Sequence, residues 1–203
     1  MNSYLKKVLS ENKFTYEGKD IELSDGIPIE EVEMIYDVMS EYKPKSSLEI
    51  GLCHGISSMA ICDNLKESNG VNHIIDPGLK VNRYGISNLE IAGLKDNFIH
   101  YDDVSEVVLP QLLQNDLKVD FVFMDGWLTL DHLMLDFFYI DKILNIGGIV
   151  MFDNCEMSSV KEAFNYFSQY PSYHELTSYL YRCRYLIKQS GDKRNWNWHT
   201  NNK

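Results

Sequence analysis

Short apolar runs alternate with amphipathic helical patterns through the last two thirds of this 203-residue chain, and this alternation constrains the fold more than any other feature. The runs are rich in Val, Ile and Phe, and a polar or glycine residue closely follows each of them. Unbroken apolarity indicates strands that are covered on both faces, as in a parallel sheet between two layers of helices. The predicted strands are Ser47–Ile50, Val71–Asp76, Phe98–Tyr101, Val119–Met124 and Gly148–Phe152.

Helical patterns fill the intervals between these runs. The clearest one spans residues 129–144, where apolar residues recur at steps of one, three or four. Pro28 stands at a favoured first position of a helix that precedes the sheet. The remaining predicted helices are Ser57–Leu65, Ser87–Leu94, Glu106–Gln114 and Val160–Phe167.

The two ends of the chain carry further structural predictions. Apolar residues alternate with Arg182 and Arg184 from Tyr181 to Ile187, which predicts a half-exposed antiparallel strand at the edge of the sheet. Residues 1–45 precede the sheet and are predicted to form a helical cap or lid, and residues 46–203 form the main domain. Since no repeat or linker separates the two, we expect one compact domain.

Composition excludes several classes of partner. The chain has 19 Lys and Arg against 30 Asp and Glu, a net charge of −11, so nucleic acid and anionic membrane surfaces are disfavoured. Its apolar stretches are well short of the ~20 residues of a membrane span, and the N-terminus lacks the pattern of a signal peptide. The four cysteines show no disulfide framework or zinc-ligand spacing, which indicates reduced thiols and a cytoplasmic location.

The loop after the first predicted strand is typical of a ligand-binding turn. Gly51 allows a sharp bend, and Gly55 leaves room for a ligand to approach the backbone. The next helix begins near Ser57, so its free N–H groups face the loop and favour an anion.

This loop does not follow the dinucleotide pattern of G-x-G-x-x-G, because Cys53 and Ile56 stand where glycines are required. Asp76 ends the second predicted strand, 21 residues after Gly55. A carboxylate there can accept hydrogen bonds from both hydroxyls of a ribose. The two features together favour an adenosine-type ligand. The alternative is a plain strand–helix turn with a solvent-facing acid.

The loop resembles motif I of the class I S-adenosylmethionine-dependent methyltransferases. The similarity continues through HIIDPG, YDDVSEVVLPQL, the long segment DFVFMDGWLTLDHLMLDFFYIDKILNIGGIVMFDNC and DKRNW, and it covers roughly residues 45–198. The chain is most similar to small bacterial O-methyltransferases, including enzymes of sugar and antibiotic tailoring, and more distantly to catechol O-methyltransferase. The resemblance implies an α/β fold, a Rossmann-like three-layer sandwich whose seven-stranded sheet is mostly parallel with one antiparallel edge strand.

The resemblance also implies residue roles. Glu49 and Gly51 would flank the methionine part of the cofactor and Ser57 would bind its carboxylate. Asp76 would hold the ribose, and Ser105 would contact the adenine edge. The implied cofactor-binding set is Glu49, Gly51, Gly55, Ser57, Asp76, Ser105, Asp125 and Trp127.

Acidic residues end the fourth and fifth predicted strands. If these strands are neighbours, Asp125 and Asp153 lie about 5 Å apart and can share a cation, with the Asn154 carbonyl as a third ligand. Hard oxygen donors suit Mg²⁺, Mn²⁺ or Ca²⁺, and the spacing resembles the metal triad of catechol-type O-methyltransferases. We therefore predict a divalent-metal site, most simply for Mg²⁺. The alternative is that these acids face the ligand crevice without a metal, as in many α/β proteins.

The resemblance leaves the catalytic base unassigned. Relatives often carry His or Lys three residues after the first aspartate, where this chain has Leu128. His132 and His54 are candidates, although each is also consistent with a structural role, so no base is predicted.

The predicted activity is O-methylation of a small hydroxylated acceptor with metal assistance. The alternatives are a cofactor-binding protein with lost or diminished catalysis and a metal-dependent hydrolase or oxygenase. The acceptor is not identified, and the sequence also permits a homo-oligomer.

Overall fold

The N-terminal segment contains a hairpin as well as helices. The computed structural model describes residues 1–23, 27–80 and 83–198, so residues 24–26 of the predicted cap and residues 81–82 and 199–203 of the main domain lie outside the described residues. The segment consists of α1 (Ser3–Glu11), β1 (Lys13–Tyr16), β2 (Lys19–Glu22) and α2 (Ile29–Tyr42).

The hairpin was not predicted, although its turn has a recognisable signal. Glu17 and Gly18 both have positive φ, 48° and 77°, as a tight two-residue hairpin turn requires. Short segments in which polar and apolar residues alternate flank this pair on both sides.

The predicted parallel sheet is confirmed. Its strands are β3 (Ser46–Ile50), β4 (Val71–Ile75), β5 (Phe98–Tyr101), β6 (Val119–Met124) and β7 (Leu144–Phe152). They lie in the order β5-β4-β3-β6-β7, with parallel pairing throughout. The first and fourth predicted strands, β3 and β6, are neighbours, so the winding direction of the sheet reverses between them.

Two more strands, β8 (Tyr173–Leu176) and β9 (Arg184–Lys188), complete the seven-stranded sheet. The antiparallel strand is confirmed, but β9 lies one place inside the edge, because β8 pairs outside it. The strand also begins at Arg184 and not near Tyr181. Residues 177–183 therefore form a loop that leads into the N-terminal end of β9.

Helices cover both faces of the sheet and make it a three-layer sandwich. One apolar cluster packs the first three helices against Phe121, Phe123 and Met151, and a second packs the later helices against Val122 and Val150. Neighbouring strand residues thus point to opposite layers, as the unbroken apolar runs predict. The helices are α3 (Ile56–Lys66), α4 (Tyr84–Ile91), α5 (Ser105–Gln114), α6 (Leu130–Ile143) and α7 (Ser158–Phe167).

Two structural findings concern the cysteines and the length of the helices. All four cysteines are free thiols, and only Cys53 is exposed. Within the described ranges, no helix has both the length and the apolarity to cross a membrane.

A buried polar cluster fastens β8 and β9 to α6. The Nζ of Lys188 lies 3.4 Å from the Asp141 carboxylate and donates to the carbonyl of Leu144 at 3.1 Å. The hydroxyl of Tyr173 donates to the same carboxylate at 2.9 Å. Lys188 and Asp141 are both buried, so each charge depends on the other for compensation.

Replacing Lys188→Met should destabilise the protein by about 3–5 kcal/mol, because the Asp141 carboxylate would be left buried without its counter-ion. Urea unfolding monitored by circular dichroism measures this loss. Lys161→Met on the exposed face of α7 is the matched control and should change stability by less than about 0.5 kcal/mol. A loss for Lys188→Met as small as the control's would contradict this account.

Candidate functional site

One cavity of about 400 Å³ opens at the carboxyl-terminal edge of the parallel strands. This is the size of a small-ligand pocket, and it lies where β3 adjoins both β4 and β6, the point at which open α/β sheets bind ligands. The loops that follow β3, β4, β5 and β6 line it. Six of the eight predicted cofactor residues are among the lining residues, namely Gly51, Ser57, Asp76, Ser105, Asp125 and Trp127.

The loop after β3 owes its shape to two glycines. Gly51 has a φ of 100°, and a side chain there would collide with the backbone carbonyl of Asp125. Gly55, with a φ of 75°, is the N-cap of α3 and does not line the cavity. No side chain caps α3, so its first N–H groups stay available for an anion near Ser57.

Glu49 does not line the cavity and lies beneath the start of α3. Its carboxylate is fully buried and accepts hydrogen bonds from the hydroxyls of Ser57 at 2.6 Å and Ser58 at 2.7 Å, and from the amide of Asn72 at 2.6 Å. Burial raises the pKa of Glu49 to about 7, although these three hydrogen bonds act in the opposite direction. Glu49 therefore ties α3 to β3 and β4.

Asp76 braces the loop from the opposite side of the cavity. One carboxylate oxygen accepts from the backbone N–H of Leu52 at 2.7 Å, and the other accepts from that of Gly78 at 2.6 Å. The side chain is therefore held at the cavity wall with a defined orientation. Spare lone pairs on both oxygens can still accept from ligand hydroxyls.

The opposite end of the cavity is formed by α5, α6 and the loop after β6. Asp136 is buried there, which raises its pKa to about 6, while a hydrogen bond to Ser105 and the charge of His132 favour ionisation. Trp127 lies at the mouth with 70% of its surface exposed, and its ring centroid is 6.2 Å from that of His132. A flat apolar ring with one open face is suited to stacking on a planar ligand.

The N-terminal hairpin contacts this site directly. Phe14 of β1 packs with its ring centroid 5.4 Å from those of His54 and Tyr84, and Ile27 lines the cavity. His54 is thus enclosed between the hairpin and α4 and is only 9% exposed. The position of residues 1–45 before the sheet predicted a cap or lid, but the sequence did not single out Phe14 or Ile27.

The strand ends meet as predicted, since the backbone N–H of Asp153 donates to the carbonyl of Met124 at 3.2 Å. Burial and the nearby charge of Asp153 raise the pKa of the Asp125 carboxyl well above its usual range. Arg182, however, engages Asp153. Its Nη2 donates to both carboxylate oxygens at 3.1 Å, and its Nε donates to Oδ1 at 3.2 Å.

Glu31 of α2 completes this group of charges. Its carboxyl is fully buried and lies 3.1 Å from the Nε of Arg182. Burial, followed by the negative charge of Asp153, raises the pKa of Glu31 to about 9. Burial therefore favours the protonated form of Glu31, and the guanidinium of Arg182 makes its hydrogen bonds to Asp153.

The predicted divalent-metal site of Asp125, Asp153 and Asn154 does not fit this arrangement. The carboxylate of Asp153 is 1% exposed and accepts three bonds from Arg182, and its Oδ1 also accepts from the backbone N–H of Asn154 at 2.5 Å. In the part of the chain that the structure describes, no three His, Cys, Asp or Glu side chains are grouped so as to hold a metal ion. The cation next to Asp153 is an arginine.

Both candidate histidines line the cavity, and the contacts of neither identify it as a base. The charge of His132 favours ionisation of the buried Asp136 beside Ser105. The Nδ1 of His132 is 2.7 Å from the hydroxyl of Thr129. Since His54 is packed beneath Phe14, the base stays unassigned.

Because the pKa of Glu49 is raised by folding, its stabilising contribution is present below pH 4.5 and lost as the pH rises through about 7. Relative to Glu49→Gln, the wild type should therefore lose about 3 kcal/mol of unfolding free energy between about pH 4.5 and pH 8. Urea unfolding at both pH values measures the difference, with Glu67→Gln on the surface as control. If the difference in unfolding free energy between wild type and Glu49→Gln does not change with pH, the account of Glu49 is contradicted.

Comparison with known proteins is consistent with this geometry. A family model described as "Methyltransferase domain" matches residues 48–155, which is more than half of the chain. No curated protein sequence matches the chain significantly.

Many solved structures share the fold. The O-methyltransferase TomG from Streptomyces achromogenes, involved in tomaymycin synthesis and solved in complex with SAM, has a TM-score of 0.72 at 15% identity, covering 94% of this chain and 91% of its own. An O-methyltransferase from Bacillus cereus in complex with SAH has a TM-score of 0.71 at 17% identity, covering 93% and 92%. SAH-bound methyltransferase PaMTH1 from Podospora anserina has a TM-score of 0.76 at 13% identity, covering 94% and 89%. On the strength of the family match, the chain belongs to the methyltransferase domain family and is a methyltransferase.

Proposed function

We propose that this enzyme transfers the methyl group of S-adenosylmethionine to a hydroxyl oxygen of a small molecule. The observation that carries this proposal is the cavity between the glycine-bent loop after β3 and the carboxylate of Asp76. The O-methyltransferases from Streptomyces achromogenes and Bacillus cereus share the fold and are bound to SAM and SAH, which supports both the cofactor and the acceptor atom.

The cavity residues fit the parts of this cofactor. The oriented carboxylate of Asp76 would accept hydrogen bonds from the two ribose hydroxyls. The free N–H groups at the start of α3, beside Ser57, would bind the amino-acid carboxylate. Ser105 and Trp127 would contact the adenine, one at its edge and the other at its face.

When bound, the cofactor supplies an electrophilic methyl group on a positively charged sulfur. The acceptor oxygen would form the new C–O bond as the S–C bond breaks with its electrons left on sulfur, and the hydroxyl proton would pass to water. The protein's contribution is to align the two reactants and exclude other geometries, which supplies several kcal/mol. Asp125 lines the cavity where strand ends converge and would form the wall next to the reacting oxygen.

The sequence predicted assistance by a divalent metal, and the proposed reaction proceeds without one. The Asp153 carboxylate that would bind the ion is engaged by Arg182. A metal-assisted enzyme would lose turnover in EDTA and regain it with Mg²⁺, whereas the enzyme proposed here would turn over equally in both conditions.

Asp76→Asn should weaken binding of S-adenosylhomocysteine by about tenfold or more, because one ribose acceptor becomes a donor that also faces a backbone N–H. Isothermal titration calorimetry measures the affinity. Asp116→Asn is the matched control, since Asp116 is exposed at the opposite edge of the sheet and should leave affinity unchanged. Equal affinity for all three proteins would contradict the ribose contact.

The same proteins separate an enzyme from a binding protein that has lost catalysis. Leu128, where relatives often carry a base, is the feature that favours the second possibility. Incubation with S-adenosylmethionine and a panel of hydroxylated aromatics and sugars, followed by mass spectrometry, detects any gain of a methyl group. Tight cofactor binding with no methylated product from any acceptor would favour the binding protein.

We also propose that residues 1–45 act as a cover over the cofactor end of the cavity. Support comes from Ile27 in the cavity wall and from the packing of Phe14 on His54. The hairpin and α1 share the apolar cluster of α3, so the cover is an integral part of the domain.

If the cover closes on the cofactor, S-adenosylhomocysteine should slow tryptic cleavage after Lys19, which is exposed beside the hairpin turn. Mass spectrometry of limited digests with and without the ligand measures the rate. Cleavage after the exposed Lys161 should not change and serves as internal control. Equal protection at both lysines would show general stabilisation and no cover.

A further inference from the structure

The loop before β9 brings a cation to the acidic strand ends. Antiparallel pairing of β9 with β7 aligns Arg184 with Phe152, so the residues before Arg184 run alongside those after Phe152. The backbone N–H of Cys155 donates to the carbonyl of Arg182 at 2.7 Å, which extends this pairing past the strands. The pairing of β9 with β7 therefore places the side chain of Arg182 next to Asp153.

The guanidinium of Arg182 lies at the centre of a network with the carboxyl groups of Asp153 and Glu31. It contacts both carboxylate oxygens of Asp153, and its Nε also lies 3.1 Å from Glu31. Such a forked arrangement between arginine and carboxylate is geometrically specific and stronger than a single charged hydrogen bond. The network connects α2 with the ends of β7 and β9.

Arg182 is also the accessible member of this network. Its side chain is 34% exposed, whereas those of Asp153 and Glu31 are 2% and 0% exposed. Among the described residues, its Nη1 has no hydrogen-bond partner. Nη1 is thus the guanidinium nitrogen that makes no contact with the carboxylates. Arg182 itself lies outside the residues that line the cavity, but its charge acts on Asp125, which does line it.

We propose that Arg182 is the cation of the acceptor site, taking the place of a divalent ion and donating from Nη1 to an oxygen anion of the acceptor. This inference rests on the proposed function and deepens it. A metal ion and the guanidinium cannot both use the Asp153 oxygens, so the enzyme works without metal. The acceptor class is a small molecule with an ionised oxygen next to the hydroxyl that receives the methyl group.

Arginine suits this role for physical reasons. Its charge is permanent at any physiological pH, and its planar fork keeps the free N–H in the plane set by the Asp153 contact. A guanidinium held this way stabilises the negative charge on the ionised oxygen of the acceptor. The guanidinium does not need to gain or lose a proton to do so, and a chelator cannot remove it as it would remove a metal ion.

The first test measures metal binding by electron paramagnetic resonance of Mn²⁺, which needs no acceptor. Wild-type protein should leave the free Mn²⁺ signal unchanged. Arg182→Met removes the cation from the acids and should increase Mn²⁺ affinity by about tenfold or more. Arg184→Met is the matched control, because this neighbouring arginine pairs with Glu175 instead. Wild-type binding of Mn²⁺ that Asp153→Asn abolishes would overturn the proposal.

The second test probes the oxygen-anion site with 3,4-dihydroxybenzoate in EDTA. Calorimetry on the S-adenosylhomocysteine complex should show binding to wild type and Arg184→Met, about tenfold weaker binding to Arg182→Met, and an intermediate value for Arg182→Lys. No binding to wild type, or equal binding to every variant, would overturn the acceptor contact. If circular dichroism shows that Arg182→Met is unfolded, the comparison of Arg182→Lys with wild type tests the acceptor contact instead.

Failure of this inference and failure of the proposed function are distinguishable. S-adenosylhomocysteine affinity should be similar in wild type, Arg182→Met and Arg182→Lys, since the side-chain hydrogen bonds and ion pairs of Arg182 go to Asp153 and Glu31, and only its charge reaches a predicted cofactor residue, Asp125. If wild type does not bind S-adenosylhomocysteine, the proposed function is wrong. If it binds the cofactor product but turnover requires Mg²⁺ and ceases in EDTA, only the role of Arg182 is wrong.

Discussion

Four backbone hydrogen bonds just beyond the strand ends determine the geometry of the site. The N–H groups of Gly51, Asp76, Asp125 and Asp153 donate to carbonyls of neighbouring strands at 2.9–3.2 Å. They extend the parallel pairing by one residue, so these four residues stand in one row at the same edge of the sheet. The cavity, the acidic wall and the contact with Arg182 all depend on this row, because a register shift of one residue would turn each side chain to the other face.

The chain order of these residues explains why much of the site was predictable. Parallel strands separated by helices place every strand end on one edge, so a glycine loop and three terminal acids are expected to converge without knowledge of contacts. Asp76 and Asp125 both line the cavity, whereas Glu49 is buried under α3. Sequence position alone does not tell whether a carboxylate points to a ligand or is buried under the helix that follows.

The elements that were missed depend on long-range packing. β8 has only four residues, two of them exposed, and its pattern carries little strand signal until β9 pairs with it. The network of Arg182 joins residues from three separate parts of the chain, and Glu31 lies 151 positions away from Arg182. Alternation of charge and apolarity near Tyr181 predicted an exposed arginine, but β9 starts two residues after Arg182 and leaves it in a loop that folds back over the strand ends.

A buried network of this kind is poorly explained by stability alone. Moving a carboxylate into the interior costs several kcal/mol, and replacing such a network by apolar residues is often neutral or stabilising. Glu31 and Asp153 are buried beside Arg182, and the negative charge of Asp153 acts against ionisation of Glu31. In natural proteins, arrangements that cost stability are concentrated at functional sites, because the chemistry of the site requires them. The position of this network at the ligand edge, on the strand next to Asp125, is therefore better accounted for by a role in holding the acceptor than by a role in holding the fold.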